Sequence, residues 1–490
     1  MSMKLATICR GILDLPENLP AGLTVSGIAV DSRRVKSGDM FVAIPGLVSD
    51  GHDYLDEAVR RGAAVLVTMK PVPEFQDKNI VVPETRTLAG PLAARVYGDP
   101  ASGMKTVGVT GTNGKTTVTY LLESVLKAAG LSPGVIGTLN YRWPGHQEEA
   151  VRTTPDAVDL QQLLAAMRRD GADCAVMEVS SHALALSRTN GVPFDAAVFT
   201  NISRDHRDFH RTEQEYVNAK RLLFKQIKKD GVAVINRDDP YAESMMEAAK
   251  ERTVTFGYSP KADCRIENVR MSGAGGSFTL VRREEKILLK TGLPGGFNIS
   301  NAAASAVTGL EMGLTPEQVS RGIGQAKGVP GRMEQVCTGA DFSVIVDYAH
   351  TPQALHHVLR AVREFTAGNV LAVFGCGGDR DRGKRPEMGG VAAGLADLVI
   401  LTNDNPRGED PEAIISDIMA GIDERARILV IPDRAQAIRR GVEQLKPGDS
   451  LLIAGKGHEC EQIIGPVKTA FSDVQVAREC LREIAGIECS

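Results

Sequence analysis

A β-branched run, Thr106–Thr110, feeds a glycine-rich turn, Gly111-Thr-Asn-Gly-Lys-Thr-Thr117, and the turn opens a segment where Val118, Leu121, Leu122, Val125, Leu126 and Ala129 recur at helical spacing. A strand, a tight loop and a helix in that order commit the surrounding chain to α/β layers, because the strand needs neighbours and the helix needs a sheet to cover. The loop also carries chemistry. Glycines let backbone N–H groups converge on phosphate, the helix N-terminus adds partial positive charge, Lys115 offsets anionic oxygens, and Thr116 suits Mg²⁺. A plain strand–helix turn needs one glycine and no Lys-Thr pair. The match to GxxxxGK[ST] is imperfect, since Val109 holds the expected first glycine position and the glycine sits at Gly108. Binding of ATP or GTP follows, but the loop alone does not separate a ligase from a kinase, a GTPase or a motor.

At 490 residues the chain exceeds what one hydrophobic core supports, and about three domains are expected. The first, residues 1–102, holds short strand-like runs such as Met40–Ile44 and Ala64–Val67. The second, 103–331, contains the phosphate loop and further apolar runs at Ala175–Met177, Ala196–Phe199 and Val232–Ile235, separated by helical patterns as in a parallel sheet covered on both faces. Within it, Thr255–Leu289 alternates short β runs with glycines and reads as attached antiparallel strands. The third, 332–490, repeats strand–helix alternation through Ser343–Val346, Val370–Phe374, Leu398–Leu401, Ile428–Ile431 and Ser450–Ile453, which predicts a Rossmann-like doubly wound sheet.

Apolar residues at 43% and charged residues at 24% exclude disorder, and a net charge of -4 supplies no basic field for a nucleic acid backbone. A small phosphorylated ligand is expected instead. The eight cysteines are scattered without CxxC or zinc spacing, and no apolar stretch of roughly 18 residues or secretory leader pattern occurs. A cytoplasmic protein with reduced thiols and no membrane insertion is the expectation.

Three residues extend the chemistry. Glu178 follows Ala175–Met177 and so stands at the carboxyl end of a strand, where open α/β sheets collect ligands and a carboxylate can bind Mg²⁺. His206, in Asn201-Ile-Ser-Arg-Asp-His206, follows the strand Ala196–Phe199 in the same way. Lys220 shares a helix face with Tyr216, Val217, Leu223 and Phe224. A lysine there either snorkels to water or is held neutral by burial, and a neutral amine reacts with CO₂ to give a carbamate able to bridge metal ions.

Together Gly111–Thr117, Glu178-Val-Ser-Ser-His182, Asn201–His206, Asn218-Ala-Lys220, Phe297-Asn-Ile-Ser-Asn301, Pro330-Gly-Arg-Met-Glu334 and Asp347-Tyr-Ala-His-Thr-Pro352 resemble the Mur ligase family, in its order and spacing over nearly the whole chain. The resemblance implies a fold of three α/β domains: a small N-terminal domain for a nucleotide-sugar, a central P-loop parallel-sheet ATPase domain with extra antiparallel strands, and a Rossmann-like C-terminal domain for the incoming amino acid. It implies that Gly111, Thr112, Asn113, Gly114, Lys115, Thr116 and Thr117 bind ATP, with Asn298 and Asn301 near adenine and Arg332, Asp347 and His350 reaching ATP from the third domain. Catalysis would rest on Lys115, Glu178, His206 and Lys220. Thr116 and Glu178 would hold one Mg²⁺, and His206 with Lys220, as a CO₂-derived carbamate, a second.

Within the family, Asp404-Asn-Pro-Arg407 resembles the signature of enzymes that add meso-2,6-diaminopimelate to UDP-N-acetylmuramoyl-L-alanyl-D-glutamate. Diaminopimelate carries a carboxylate where lysine has only an ammonium end, and Arg407 offers a planar donor fork suited to it. Arg380, Asp404, Asn405, Pro406, Gly455 and Glu459 complete that amino-acid site by resemblance, and Val30, Ser32, Leu47, Val48, Ser49, Thr153, Thr154, Ser180 and Arg188 would contact the nucleotide-sugar peptide. Arg152 and Leu186 depart from the family's usual Asn and Gln. A monomer is expected. A folylpolyglutamate-synthetase-like ligase shares the loop and the lysine but lacks the first domain and the Asp404–Arg407 signature. A P-loop switch that hydrolyses nucleotide only to change shape has no need of a basic amino-acid pocket.

Overall fold

The computed structural model describes residues 2–17, 19–20, 22–46, 49–203, 205–206, 209–337 and 340–487. Chain contacts divide it into two compact units, of which the first comprises residues 1–265, 282–285 and 303–322 and the second residues 266–281, 286–302 and 323–490.

The first unit begins with a four-stranded parallel sheet, β1 (Gly27–Ala29), β2 (Asp39–Val42), β3 (Val65–Thr68) and β4 (Asn79–Val81), paired in that order. Helix α1 (Arg86–Val96) closes one face over a core of Met40, Val42, Val65, Val67, Leu92 and Ala93. The phosphate-loop unit follows as β5 (Lys105–Thr110) and α2 (Lys115–Ala128), whose Val118, Leu121, Leu122, Val125 and Leu126 are all buried, as their spacing predicts. Next come β6 (Pro133–Ile136), β7 (Asn140–Trp143), β8 (His146–Glu149), α3 (Ala157–Arg169), β9 (Cys174–Glu178), β10 (Phe194–Phe199), α4 (Glu213–Phe224), β11 (Ile227–Asn236) and β12 (Arg252–Gly257).

These strands pair in the order β8-β7-β6-β9-β5-β10-β11-β12. From β6 to β12 every pairing is parallel, which places the ends of β5, β9 and β10 side by side. The hairpin β7–β8, turning at Pro144-Gly145, adds an antiparallel edge that the sequence reading did not anticipate. The expectation of antiparallel strands from Thr255 onward needs one correction. Thr255 lies in β12, which is parallel to β11, and the next strand, β13 (Cys264–Ser272), also starts parallel to β12 through Phe256↔Cys264 and Gly257↔Arg265.

Gly108 is explained by packing. It lies within β5, and a Cβ there would meet Phe194 and Leu223 side chains at 2.9 Å, so it serves the sheet–helix contact and not the loop.

In the second unit, β14 (Gly275–Arg282) and β15 (Glu285–Thr291) follow in sheet order after β13. Its main sheet contains β16 (Ser343–Asp347), β17 (Val370–Phe374), β18 (Leu398–Leu401), β19 (Ile428–Val430) and β20 (Ser450–Ala454), in the spatial order β16-β20-β17-β18-β19 and all parallel, edged by the antiparallel Glu334–Gln335. Helices α5 (Pro352–Phe365), α6 (Lys384–Leu395) and α7 (Pro411–Met419) contribute to one core, and α8 (Arg434–Glu443) and α9 (Asp473–Ala485) to another. Two cores flank one parallel sheet, the doubly wound arrangement expected, and the carboxyl ends of β16, β17, β18 and β20 line one edge.

Candidate active site

The phosphate loop is shaped by two glycines in backbone conformations that side chains disfavour, Gly111 at φ +152° and Gly114 at φ +87°. A Cβ on Gly111 would stand 1.9 Å from the Thr200 hydroxyl, so β10's end closes against the loop only because that position is bare. Asn201 then splices the two. Its carbonyl accepts from Thr112 N at 2.8 Å, and its side chain accepts from Asn113 N at 3.0 Å. The Lys115 amine donates to the carbonyls of Gly111 and Thr112 at 2.9 and 3.0 Å. Thr116 and Thr117 lie buried in the first turn of α2.

Glu178, the last residue of β9, is 1% exposed, and its carboxylate accepts the Thr116 hydroxyl at 3.0 Å, Thr138 N at 2.8 Å and the Thr138 hydroxyl at 3.0 Å. A hydroxyl and a carboxylate side by side at a phosphate loop form the hard-oxygen pair that Mg²⁺ takes while keeping waters and phosphate oxygens as its other ligands. Among the described residues no three His, Cys, Asp or Glu side chains gather as a complete cage. Thr116 and Glu178 at the loop fit a cation shared with a phosphate ligand.

Lys220 is fully enclosed in α4, so of the two alternatives that its apolar helix face left open it takes burial and has not snorkelled to water. Its amine donates to the Gly111 carbonyl at 2.8 Å and lies 4.4 Å from the centre of the Tyr216 ring. Burial, reinforced by the Lys115 charge, holds its pKa well below the ordinary lysine value, which favours the neutral, CO₂-reactive amine. The Tyr216 hydroxyl shares a hydrogen bond with the Thr112 hydroxyl at 2.9 Å, so α4 and the phosphate loop are joined twice.

His206 adopts a left-handed backbone at φ +51°, and its ring stands edge-on to His182 at 4.6 Å and 6.1 Å from Tyr216. His210 lies 5.2 Å from Tyr216 and 5.7 Å from His182. Three histidines thus cluster with Tyr216, the residue that bonds the loop, whereas sequence reasoning singled out His206 alone. The signal for His182 was its place in Glu178-Val-Ser-Ser-His182, just after the end of β9; His210 carried none, because its neighbourhood is tertiary.

Of the residues expected to hold the nucleotide-sugar peptide, Thr153 and Thr154 gather near Glu178. Thr153 bonds Thr138 through their hydroxyls at 3.1 Å, and Thr154 donates to the Glu178 carbonyl at 2.8 Å. Ser180 caps helix Ser181–Ala185, and Arg188 donates to the Thr154 carbonyl at 3.2 Å while lying 2.9 Å from Asp156. The Ser32 hydroxyl is engaged by Glu57 at 2.7 Å, Val30 is half-buried beside it, and the Ser49 carbonyl closes a turn with Gly46 N. Leu47 and Val48 lie outside the described residues. The departure at Arg152 is accommodated at the surface by Asp156 at 3.2 Å, and Leu186 ends its short helix.

In the second unit, Asn298 and Asn301 are buried and linked to each other at 3.0 Å on helix Gly296–Glu311. Asp347, at the end of β16, accepts Met333 N at 2.7 Å and Ala349 N at 2.8 Å, and burial pushes its carboxyl above the usual range against the pull of Arg332. Arg332 stacks 4.7 Å over Tyr348, whose carbonyl lies 2.8 Å from His350 Nδ1.

A second cluster surrounds the ends of β17, β18 and β20. Asn405 is the hub: its amide donates to Glu459 at 2.9 Å, and its carbonyl accepts from Lys456 and from Ile463 N, both at 3.0 Å. Lys456, missed from the sequence and fully buried, also pairs with Glu459 at 2.9 Å. Arg407, at φ +52°, is held by a donation to the Gly378 carbonyl at 2.9 Å, with Pro406 before it packed so that a Cβ on Gly378 would meet the Pro406 carbonyl at 1.8 Å. Burial pushes the Asp404 carboxyl up while Arg434 and Lys456 draw it down. Gly455 is left-handed at φ +115°, with room for Asp404 alone beside it. Arg380 stands exposed, donating to the Asp379 carbonyl. Two acids, Asp404 and Glu459, a lysine, an amide and an arginine converge here, which suits an amino acid with more than one charged end.

Family models match the chain three times: the Mur ligase family catalytic domain over residues 24–97, the Mur ligase middle domain over 109–309, and the Mur ligase glutamate ligase domain over 331–457. The UDP-N-acetylmuramoyl-L-alanyl-D-glutamate--2,6-diaminopimelate ligase of Syntrophomonas wolfei is 41% identical over 98% of this chain and 99% of its own. The enzyme of the same name from Trichormus variabilis is 44% identical over 98% and 99%. A solved structure bearing that name superimposes with a TM-score of 0.76 at 34% identity, covering 99% of both chains. Mycobacterium tuberculosis folylpolyglutamate synthase shares the fold at a TM-score of 0.60 and 17% identity, over 81% of this chain and 95% of its own. No helix among the described residues is long and apolar enough to cross a membrane.

Proposed function

The chain belongs to the Mur ligase family, and from that premise we propose that it joins meso-2,6-diaminopimelate to UDP-N-acetylmuramoyl-L-alanyl-D-glutamate, driven by ATP, in peptidoglycan precursor synthesis. The observation that carries the reading is the enclosed Lys220 amine on the Gly111 carbonyl, because a nucleotide switch has no use for a second lysine buried against its phosphate loop. The names of the relatives supply the two substrates, and the Asn405–Glu459–Lys456 hub with Arg407 supplies a site chemically suited to the acceptor.

In the mechanism, the D-glutamyl γ-carboxylate attacks the ATP γ-phosphorus, ADP leaves, and an acyl phosphate results. The diaminopimelate amine then attacks the acyl carbon, phosphate departs, and the amine proton passes to solvent or phosphate. Lys115 releases its loop carbonyls to neutralise phosphate oxygens, and the backbone N–H groups of Gly111–Thr117 cradle them. Thr116 and Glu178 would hold one Mg²⁺, and His206 with carbamylated Lys220 a second; bound there, the metal supplies charge neutralisation to the transferring phosphoryl group. Asn298 and Asn301 would face adenine, and Arg332, Asp347 and His350 would complete nucleotide binding. Asp404 and Glu459 would receive the amino acid's ammonium, and Arg407 and Arg380 its carboxylates. Val30, Ser32, Ser49, Thr153, Thr154, Ser180 and Arg188 would line the nucleotide-sugar path. The reading includes domain limits of 1–102, 103–331 and 332–490, a monomer, and a cytoplasmic location.

The test is phosphate release with UDP-N-acetylmuramoyl-L-alanyl-D-glutamate, ATP and Mg²⁺, comparing meso-diaminopimelate with L-lysine and weighing the product by mass spectrometry. A tripeptide product with diaminopimelate alone is expected. Product with lysine instead overturns the acceptor, and hydrolysis independent of any amine overturns the ligase.

A further inference from the structure

Behind the second cluster lies a guanidinium that the chemistry above does not use. Arg434 and Asp473 are each the first residue of a helix, α8 and α9, and both are completely buried. They form a two-pronged pair, Nε to Oδ1 and Nη2 to Oδ2, each at 2.7 Å. Asp473 suits a helix N-terminus; Arg434 does not, because its charge opposes the helix dipole. A buried ion pair is also a weak source of stability, since an apolar pair of similar volume often serves as well or better. The placement calls for another reason.

The remaining donors of Arg434 supply it. Nη2 donates to the Ala454 carbonyl at 3.0 Å, and Nη1 reaches the Asn403 carbonyl at 3.4 Å. Asn403 directly precedes Asp404, and Ala454 directly precedes Gly455. The strands behind these loops, β18 and β20, each pair with β17, which runs between them, so no ladder joins the two directly and none extends into the loops beyond their ends. Just past the end of β17 stands Gly375, where a Cβ would meet the Thr402 carbonyl at 2.1 Å and Asp404 N at 3.0 Å. The β18 loop thus folds across the end of β17 toward Gly455, whose missing side chain leaves Asp404 its room.

We propose that Arg434, aimed by Asp473, is a positioning residue for the amino-acid acceptor: it ties the Asp404–Arg407 loop to the Gly455–Glu459 loop across the intervening strand and so sets the gap into which the acceptor fits. The proposal rests on the reading of those two loops as the diaminopimelate site. Arg434 touches no substrate; it acts through the two carbonyls.

The test compares wild type with the paired substitution Arg434→Met and Asp473→Leu, which removes both charges and leaves no unpaired partner. Steady-state constants are measured for each substrate, using whichever amine, diaminopimelate or lysine, the wild type accepts. The KM for the amine is expected to rise by ~10-fold or more, the cost of loosening a positioned site, while the KM values for ATP and the nucleotide-sugar peptide hold. A purely structural role would lower the amount of active enzyme and leave every KM alone. Should the double variant not fold, Arg434→Lys, which keeps the charge but not the fork, is expected to give a smaller rise confined to the same constant. An unchanged amine KM in a folded variant overturns the proposal alone. Absence of turnover by the wild type with either amine overturns the functional reading, and this proposal with it.

Discussion

The amine of Lys220 lies 2.8 Å from the carbonyl oxygen of Gly111, although 109 residues separate them in the chain. The contact fixes the lysine at the phosphate loop and withholds it from water. Carbamylation there would convert a donor into an anion facing the nucleotide. Lys220→Met is expected to lower ligase turnover by at least ~10²-fold, the scale associated with losing a group that organises charge around a transferring phosphoryl. Wild-type enzyme equilibrated with ¹³C-labelled bicarbonate should show a carbamate carbon by NMR that the variant lacks. Full activity in Lys220→Met would rule out the role.

Arg407 is prepared for a ligand by its own backbone, left-handed at φ +52°, and by its hold on the Gly378 carbonyl. Arg407→Lys keeps the charge and loses the planar fork. The ratio of kcat/KM for diaminopimelate over lysine should fall by ~10- to 100-fold, as when a carboxylate loses a two-pronged donor. An unchanged ratio would move acceptor selection elsewhere in the cluster.

Gly111 has no room for a side chain, with the Thr200 hydroxyl 1.9 Å from where a Cβ would stand. Gly111→Ala must displace either the loop or the end of β10. A loss of about 2–3 kcal/mol in unfolding free energy is expected, combining overpacking with an unfavourable backbone angle. Urea denaturation checks it, and nucleotide affinity should drop in parallel; stability within error of wild type would contradict the account.

Glu409 sits under Arg385 and Arg382, and their hydrogen bonds hold its carboxyl at about 2, below its ordinary 4.5. A carboxyl whose folded value is depressed stabilises the fold at pH above its unfolded value and ceases to do so as pH falls through the folded one. Stability should therefore decline between about 4.5 and about 2, in part through this group. Glu409→Gln is expected to flatten that limb of a stability-against-pH curve while lowering stability at neutral pH. An acid limb identical to wild type would assign the sensitivity to other carboxylates.

Local pattern along the chain was sufficient for much of the fold and for the groups that define the chemistry. Helical periodicity after Thr117 and around Lys220, and apolar runs ending in Glu178 and Asp347, placed each of those residues on the element and at the end it occupies. These features are legible because periodicity and strand termination depend on neighbours a few residues away. The hairpin β7–β8 and the parallel start of β13 were not, since β8 is an exposed polar run without apolar alternation and the direction in which β13 pairs is not written in its own residues. The same limit applied to His210, Lys456 and Arg434. A histidine beside another histidine 28 residues on, or an arginine between two loops whose strands never touch, has no local mark. Only the folded chain decides such neighbours, because burial and charge pairing are properties of what surrounds a residue in space.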